Sequence, residues 1–124
     1  MIPVNLTTQR PITTPIPILT TDEVVRLQTA DPPLILVEAL PLMHYQAAHL
    51  PGAVNIPADQ IVRLAPMLLP DKAAVIAVYC SNHACGTAQH VATRLVQLGY
   101  RQVFHYQGGK QAWMLAGHPL EGQS

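Results

Sequence analysis

Along the chain the apolar positions change period several times, and each change predicts an element. Thr20-Thr21-Asp22-Glu23 pairs a threonine cap with a glutamate three places on, ahead of apolar Val24, Val25 and Leu27. That pattern predicts a short helix ending near Ala30. Asp31-Pro32-Pro33 stops it, because the residue before a proline is pushed out of helical geometry. Leu34-Ile35-Leu36-Val37 is a continuous apolar run, as in a strand covered on both faces. Pro41 predicts the opening of a short helix through Met43, His44, Tyr45 and Ala48. Residues 49–57 read as a turn into a brief strand, and Ala58 to Leu69 as a helix broken by Pro66. Ala73 to Tyr79 is the most apolar run and predicts the central strand. A helix follows from about Gly86 to Leu98, with Val91, Leu95 and Leu98 on one face, and Gly99 ends it. Gln102 to Tyr106 predicts another strand. Gly108-Gly109 turns into a last helix through Ala112 and Trp113, which Gly117 ends. Alternating strands and helices predict an α/β domain: a mainly parallel central sheet flanked by helices.

Length and charge narrow the class. At 124 residues the chain fits one domain, and 49% hydrophobic content is enough for a core. Only 11% of residues are charged, against roughly 25% in an ordinary soluble domain, so some apolar surface is expected to meet a protein partner or a second copy. A formal net charge of zero, with no basic run, excludes a nucleic acid or acidic membrane surface as the expected partner. No apolar stretch is long enough to span a bilayer, and the N-terminus lacks the layout of a signal peptide. We therefore expect a cytoplasmic protein. Residues 1–17, with prolines at 3, 11, 15 and 17, predict an extended arm. Ile12, Ile16 and Ile18 suit it to lie against the body, residues 18–124.

The chemistry concentrates in Tyr79-Cys80-Ser81-Asn82-His83-Ala84-Cys85-Gly86-Thr87. Both cysteines of the chain sit in this one loop between a strand and a helix. Parallel sheets place ligand sites at the carboxyl ends of their strands. Backbone N–H groups at a helix start carry partial positive charge and favour thiolate over thiol. Position alone therefore gives Cys80 the properties of a nucleophile, although free cysteine also packs as a small hydrophobe. Cys80, His83 and Cys85 match no usual zinc spacing, so no metal is expected. His83 can lower the thiol's pKa when protonated, or is simply solvated. His44, His90, His105 and His118 read as surface residues, His49 as a tie between its turn and the body, and Trp113 and Tyr106 as core.

Four segments taken together resemble the single-domain rhodaneses, the sulfurtransferase-like domains. They are His49-Leu50-Pro51-Gly52-Ala53-Val54-Asn55-Ile56-Pro57, Val78-Tyr79-Cys80, Leu98-Gly99-Tyr100 with Val103, and Gly108-Gly109 with Ala112-Trp113, Gly117 and Pro119. The resemblance implies a rhodanese-like three-layer fold. It also implies a cysteine, Cys80, that takes sulfane sulfur from a small donor as a persulfide and passes it to a thiol or cyanide-like acceptor. The loop Ser81, Asn82, His83, Ala84, Cys85, Gly86 and Thr87 would hold the substrate, with no cofactor. The chain departs from the family where an arginine often follows the nucleophile. Cys85 stands there, and the loop holds no lysine or arginine. Glu38-Ala39-Leu40 replaces a "DVR"-like segment, keeping an acid and losing an arginine. A neutral loop predicts poor use of dianionic thiosulfate and preference for a persulfide-type donor. Cys85 becomes a candidate resolving thiol, with an inert core position as the plainer reading. A non-catalytic binding or regulatory module, or a thiol redox sensor using Cys80 and Cys85, are the rival functions.

Overall fold

The computed structural model describes residues 16–82 and 84–122. Most of the expected arm, residues 1–15, and His83 lie outside the described residues. In chain order the elements are α1 (Thr21–Gln28), β1 (Ile35–Glu38), α2 (Leu42–Ala47), β2 (Val54–Asn55), a 3-10 turn (Ala58–Gln60), α3 (Ile61–Leu68), β3 (Val75–Tyr79), α4 (Thr87–Gln97), β4 (Gln102–His105) and α5 (Gly109–Leu115). The four strands form one parallel sheet in the order β2-β1-β3-β4. Helices lie on both faces, so the α/β three-layer architecture is as expected.

Local signals explain most boundaries. Thr20 caps α1 as a capping box: its hydroxyl accepts from Glu23 N–H at 3.2 Å, and Glu23 Oε1 accepts from Thr20 N–H at 2.8 Å. The apolar run of β3 is buried on both faces, with Ile76, Ala77, Val78 and Tyr79 at 0% exposure. Burying Ile76 and Val78 contributes about 1.5–3 kcal/mol each. One sheet face carries Val37, Ala39, Ile76, Val78 and Cys80 against Ile61, Ala65, Ala88, Val91 and Leu95 of α3 and α4. The other carries Leu36, Ala77 and Tyr79 against Val24, Leu50 and Trp113.

One detail differs from expectation. Pro66 does not break its helix: α3 runs on to Leu68 with Pro66 inside. The carbonyl that a proline at 66 deprives of its partner is that of Val62, a residue 63% exposed and open to water. The carbonyls of Ala65 and Leu69 accept from the buried Tyr100 hydroxyl at 3.1 and 2.6 Å. The free edge of β4 is covered. His105 N–H donates to Pro17 O at 2.8 Å, and Leu19 N–H to His105 O at 3.0 Å. Ile16 packs against the core while Ile18 stays 55% exposed. Where it is described, the segment lies against the body; Ile12 is outside the described residues. Met43 (74% exposed) and Leu115 (83%) leave apolar surface in solvent, in keeping with the low charge content.

Candidate functional site

Strand β3 delivers Cys80 to the carboxyl edge of the sheet, at 2% exposure. The loop after it curls round the sulfur. Cys80 Sγ lies 3.5 Å from the carbonyl oxygen of Cys85 and 4.0 Å from that of Asn82. The turn is held by Asn82, whose side-chain oxygen accepts from Ala84 N–H at 2.9 Å and whose carbonyl accepts from Cys85 N–H at 3.2 Å. It brings Cys85 back onto Cys80: the Cα atoms are 6.5 Å apart and the two sulfurs form a disulfide, a separation within the usual range for such bonds. Helix α4 then starts at Thr87, with Gly86 at the cap position. Glycine has no side chain to satisfy the first-turn N–H groups, which face the end of the loop with their partial positive charge.

The other side of the loop rests on α5. Lys110 N–H donates to Cys80 O at 3.1 Å, and Gln111 N–H to Ser81 O at 2.9 Å. Gly109 makes this approach possible. It has φ +60°, and a Cβ there would lie 2.3 Å from Cys80 O. Orphan donors of one helix thus fix the peptide groups at which the reactive strand ends.

Beneath the site, on the opposite sheet face from Cys80, sits a buried polar chain. Glu38 on β1 is the cross-strand partner of Tyr79 on β3. Its Oε1 accepts from the Tyr79 hydroxyl at 2.8 Å, and that hydroxyl accepts from Leu50 N–H at 3.0 Å. Glu38 Oε2 lies 3.0 Å from Lys110 Nζ, with the carboxylate fully buried and the lysine side chain 13% exposed. Oε2 has no well-angled hydrogen bond, so the nearby ammonium charge is its compensation. Lys110 Nζ also donates to His44 O at 3.1 Å. Burial, then the Glu38 charge, push the Tyr79 phenol far above its ordinary value and keep it a neutral donor.

The Glu38 carboxylate therefore meets Tyr79 and Lys110 on the sheet face opposite Cys80. The sequence reading missed Lys110, a cation from an element remote in sequence whose main chain touches Cys80. A signal was present: lysine in the first turn of a helix opposes the macrodipole, and a carboxylate nearby is the usual remedy. Of the expected substrate loop, Ser81, Asn82, Cys85 and Thr87 are half-buried around the disulfide, while Ala84 and Gly86 are exposed. His83 lies outside the described residues. Among the described residues no cluster of three His, Cys, Asp or Glu side chains is arranged to hold a metal ion, and no helix is long and apolar enough to cross a membrane.

The histidines divide. His49 ties its turn down: Nδ1 is 2.8 Å from Tyr45 O, the ring stacks on Tyr45 at 3.9 Å, and His49 pairs with Glu121 through both backbone groups. Trp113 and Tyr106 are core residues. His105 departs from its expected surface position and is 7% exposed on β4, because Pro17–Leu19 and α4 cover the strand. Burial pulls its pKa below the ordinary 6.5. The folded state thus binds the proton less well than the unfolded chain. His105 contributes stability that is complete above about pH 6.5 and is lost as pH falls through its folded pKa. In urea titrations, His105→Leu should give a flatter stability profile than wild type across that acidic window. Parallel profiles would show that His105 is not a source of acid sensitivity.

Comparison with known proteins places this geometry. The family model for the rhodanese-like domain matches residues 20–116. The HTH-type transcriptional regulator Rv0324 of Mycobacterium tuberculosis is 35% identical over 86 residues, which cover 69% of this chain and 37% of that protein. The chain thus spans well under half the length of that relative. Among solved structures, the BH2092 protein of Bacillus halodurans superposes with a TM-score of 0.77 at 25% identity, covering 96% of this chain and 86% of that one. A thiosulfate sulfurtransferase from Pseudomonas aeruginosa superposes with a TM-score of 0.69 at 26% identity, covering 88% of this chain and 21% of the larger protein.

Proposed function

The chain belongs to the rhodanese-like domain family, and from that premise we propose that it is a sulfurtransferase carrying sulfane sulfur as a persulfide on Cys80. The observation that carries this reading is the placement of Cys80. It ends the central strand, and its loop curls round the sulfur and runs into the N-terminus of α4. After reduction, the Cys80 thiolate attacks the outer sulfur of a donor. The donor's remaining thiolate leaves, and Cys80 holds the persulfide. A thiol or cyanide-like acceptor then takes the outer sulfur and restores the thiolate. The uncapped first-turn N–H groups of α4 stabilise the sulfur anion, so the steps call on no metal or organic cofactor.

The neutral loop sets the donor. Lys110, whose N–H reaches Cys80 O, has its ammonium taken up by Glu38 and His44 O. Without an arginine, thiosulfate forgoes a charge-assisted hydrogen bond of roughly 1.5–3 kcal/mol, or about ten- to a hundredfold in binding. Intact mass spectrometry of reduced protein should show one added sulfur, mapping to Cys80, with a glutathione-type persulfide at low concentration. Thiosulfate should need a concentration about ten- to a hundredfold higher. Equal loading by the two donors would sink the preference, and no loading by either would sink the sulfurtransferase reading.

One observation favours a second reading. The 35% identical relative is a transcriptional regulator, and the second reading is a regulatory module in which Cys80 takes up sulfur as part of a larger assembly. In that case Cys80 would load without multiple turnover, which an acceptor assay under excess donor separates from catalysis.

A further inference from the structure

The loop holds a second sulfur that simple transfer to an external acceptor leaves unused. From the pairing of Cys85 with Cys80 we infer that this chain reduces sulfane sulfur to hydrogen sulfide, and that its Cys80–Cys85 disulfide is reset by a dithiol reductant entering at Cys85. The inference rests on the Cys80 persulfide proposed above.

Two features of the loop support it. The disulfide spans a sequence separation of 5, and so short a loop gains least from a covalent staple. The bond is also lopsided. Cys80 is 2% exposed within the apolar cluster of Val78, Ala88 and Val91, whereas Cys85 packs on the edge of that cluster and keeps part of its surface in solvent. A pair with one residue buried and the other partly exposed suits exchange chemistry.

The atoms balance as follows. The Cys80 thiolate takes the outer sulfur of a persulfide donor, expelling the donor's thiolate. The Cys85 thiolate then attacks Sγ of Cys80, the inner sulfur. The bond between Sγ and the outer sulfur breaks, and hydrosulfide leaves with the electron pair. Sulfane sulfur is thereby reduced, and the two protein thiols are oxidised to the disulfide. A dithiol reductant supplies the two electrons that return the enzyme. Its thiolate attacks along the S–S axis at the sulfur of the partly exposed residue, Cys85, and expels Cys80 as thiolate. A second thiol of the reductant then frees Cys85. The net reaction converts one persulfide and one dithiol into a thiol, hydrogen sulfide and a disulfide. The reaction supplying the substrate must therefore be one that makes persulfides, and the one consuming the product must use or remove sulfide.

The test is a single turnover of reduced protein with a glutathione-type persulfide and no other reductant, following both sulfide and intact mass. Wild type should release about one sulfide per chain and finish two hydrogens lighter, with no added sulfur. Cys85→Ser should keep the added sulfur and release none. Added sulfur held stably by both proteins, or found on Cys85, overturns the inference and leaves the persulfide reading standing. No added sulfur on Cys85→Ser overturns that reading and the inference with it. The entry point is read by trapping the disulfide form with a dithiol reductant whose second cysteine is serine. The adduct should map to Cys85, and an adduct on Cys80 overturns the assigned entry.

Discussion

Replacing Lys110 with methionine is expected to cost about 3–5 kcal/mol of folding stability, the range for removing one partner of a buried ion pair. Methionine keeps much of the volume but strands the Glu38 carboxylate, which is fully buried. Tyr79 still donates to Oε1, yet Oε2 has no other compensation among the described residues. Glu38→Gln in the same chain removes the stranded charge and leaves an acceptor for Tyr79. The double variant should therefore recover most of the loss, as the energetics of such pairs allow. Urea midpoints for the wild type, both single variants and the double variant decide the matter. A single-variant loss under about 1 kcal/mol, or no recovery in the double variant, would mean that the pair does not anchor α5 to the sheet. The consequence for function is local. Lys110 holds Glu38 with its side chain and Cys80 O with its main chain, so loosening one loosens the other.

That pair marks the boundary of what the sequence reveals. Elements written in local chemistry were legible. Thr20 and Glu23 announce α1, the run ending at Tyr79 announces the buried strand, and Gly99 marks where α4 stops. The cysteine loop was legible for the same reason, since strand, loop and helix are adjacent in the chain. Glu38 and Lys110 are far apart in sequence, and only the β1–β3 register with the return of α5 brings them together. Parity along the strands could have placed Glu38 beside Tyr79 on one face, but not the lysine above it. His105 was misjudged for a related reason. Its strand looks like an edge, and its cover comes from Pro17–Leu19 pairing with it. Pro66 misled because its effect depends on whether the carbonyl it leaves bare meets water or core, and that is a matter of which way α3 faces.

Gly109→Ala should be the most damaging small substitution at the site. The position has φ +60°, where an L-residue costs about 1–3 kcal/mol. The new Cβ would also sit 2.3 Å from Cys80 O and 3.0 Å from two neighbouring carbonyl carbons. These are backbone atoms, so no side chain can turn aside, and α5 must back away from the strand end. The bonds from Lys110 N–H to Cys80 O and from Gln111 N–H to Ser81 O would then stretch or break, at about 0.5–1.5 kcal/mol each. The expected total is about 2–6 kcal/mol, with sulfur loading of Cys80 slowed because the loop's first two peptides lose their anchor. Gly117→Ala supplies the control. It has φ +87° with nothing within 4 Å of the added carbon, so it carries the strain without the clash. It should cost less and leave loading at the wild-type rate. Denaturation midpoints and loading rates for the two variants separate backbone strain from displacement of the site. Equal losses, with loading intact in both, would show that α5 does not hold Cys80 in place.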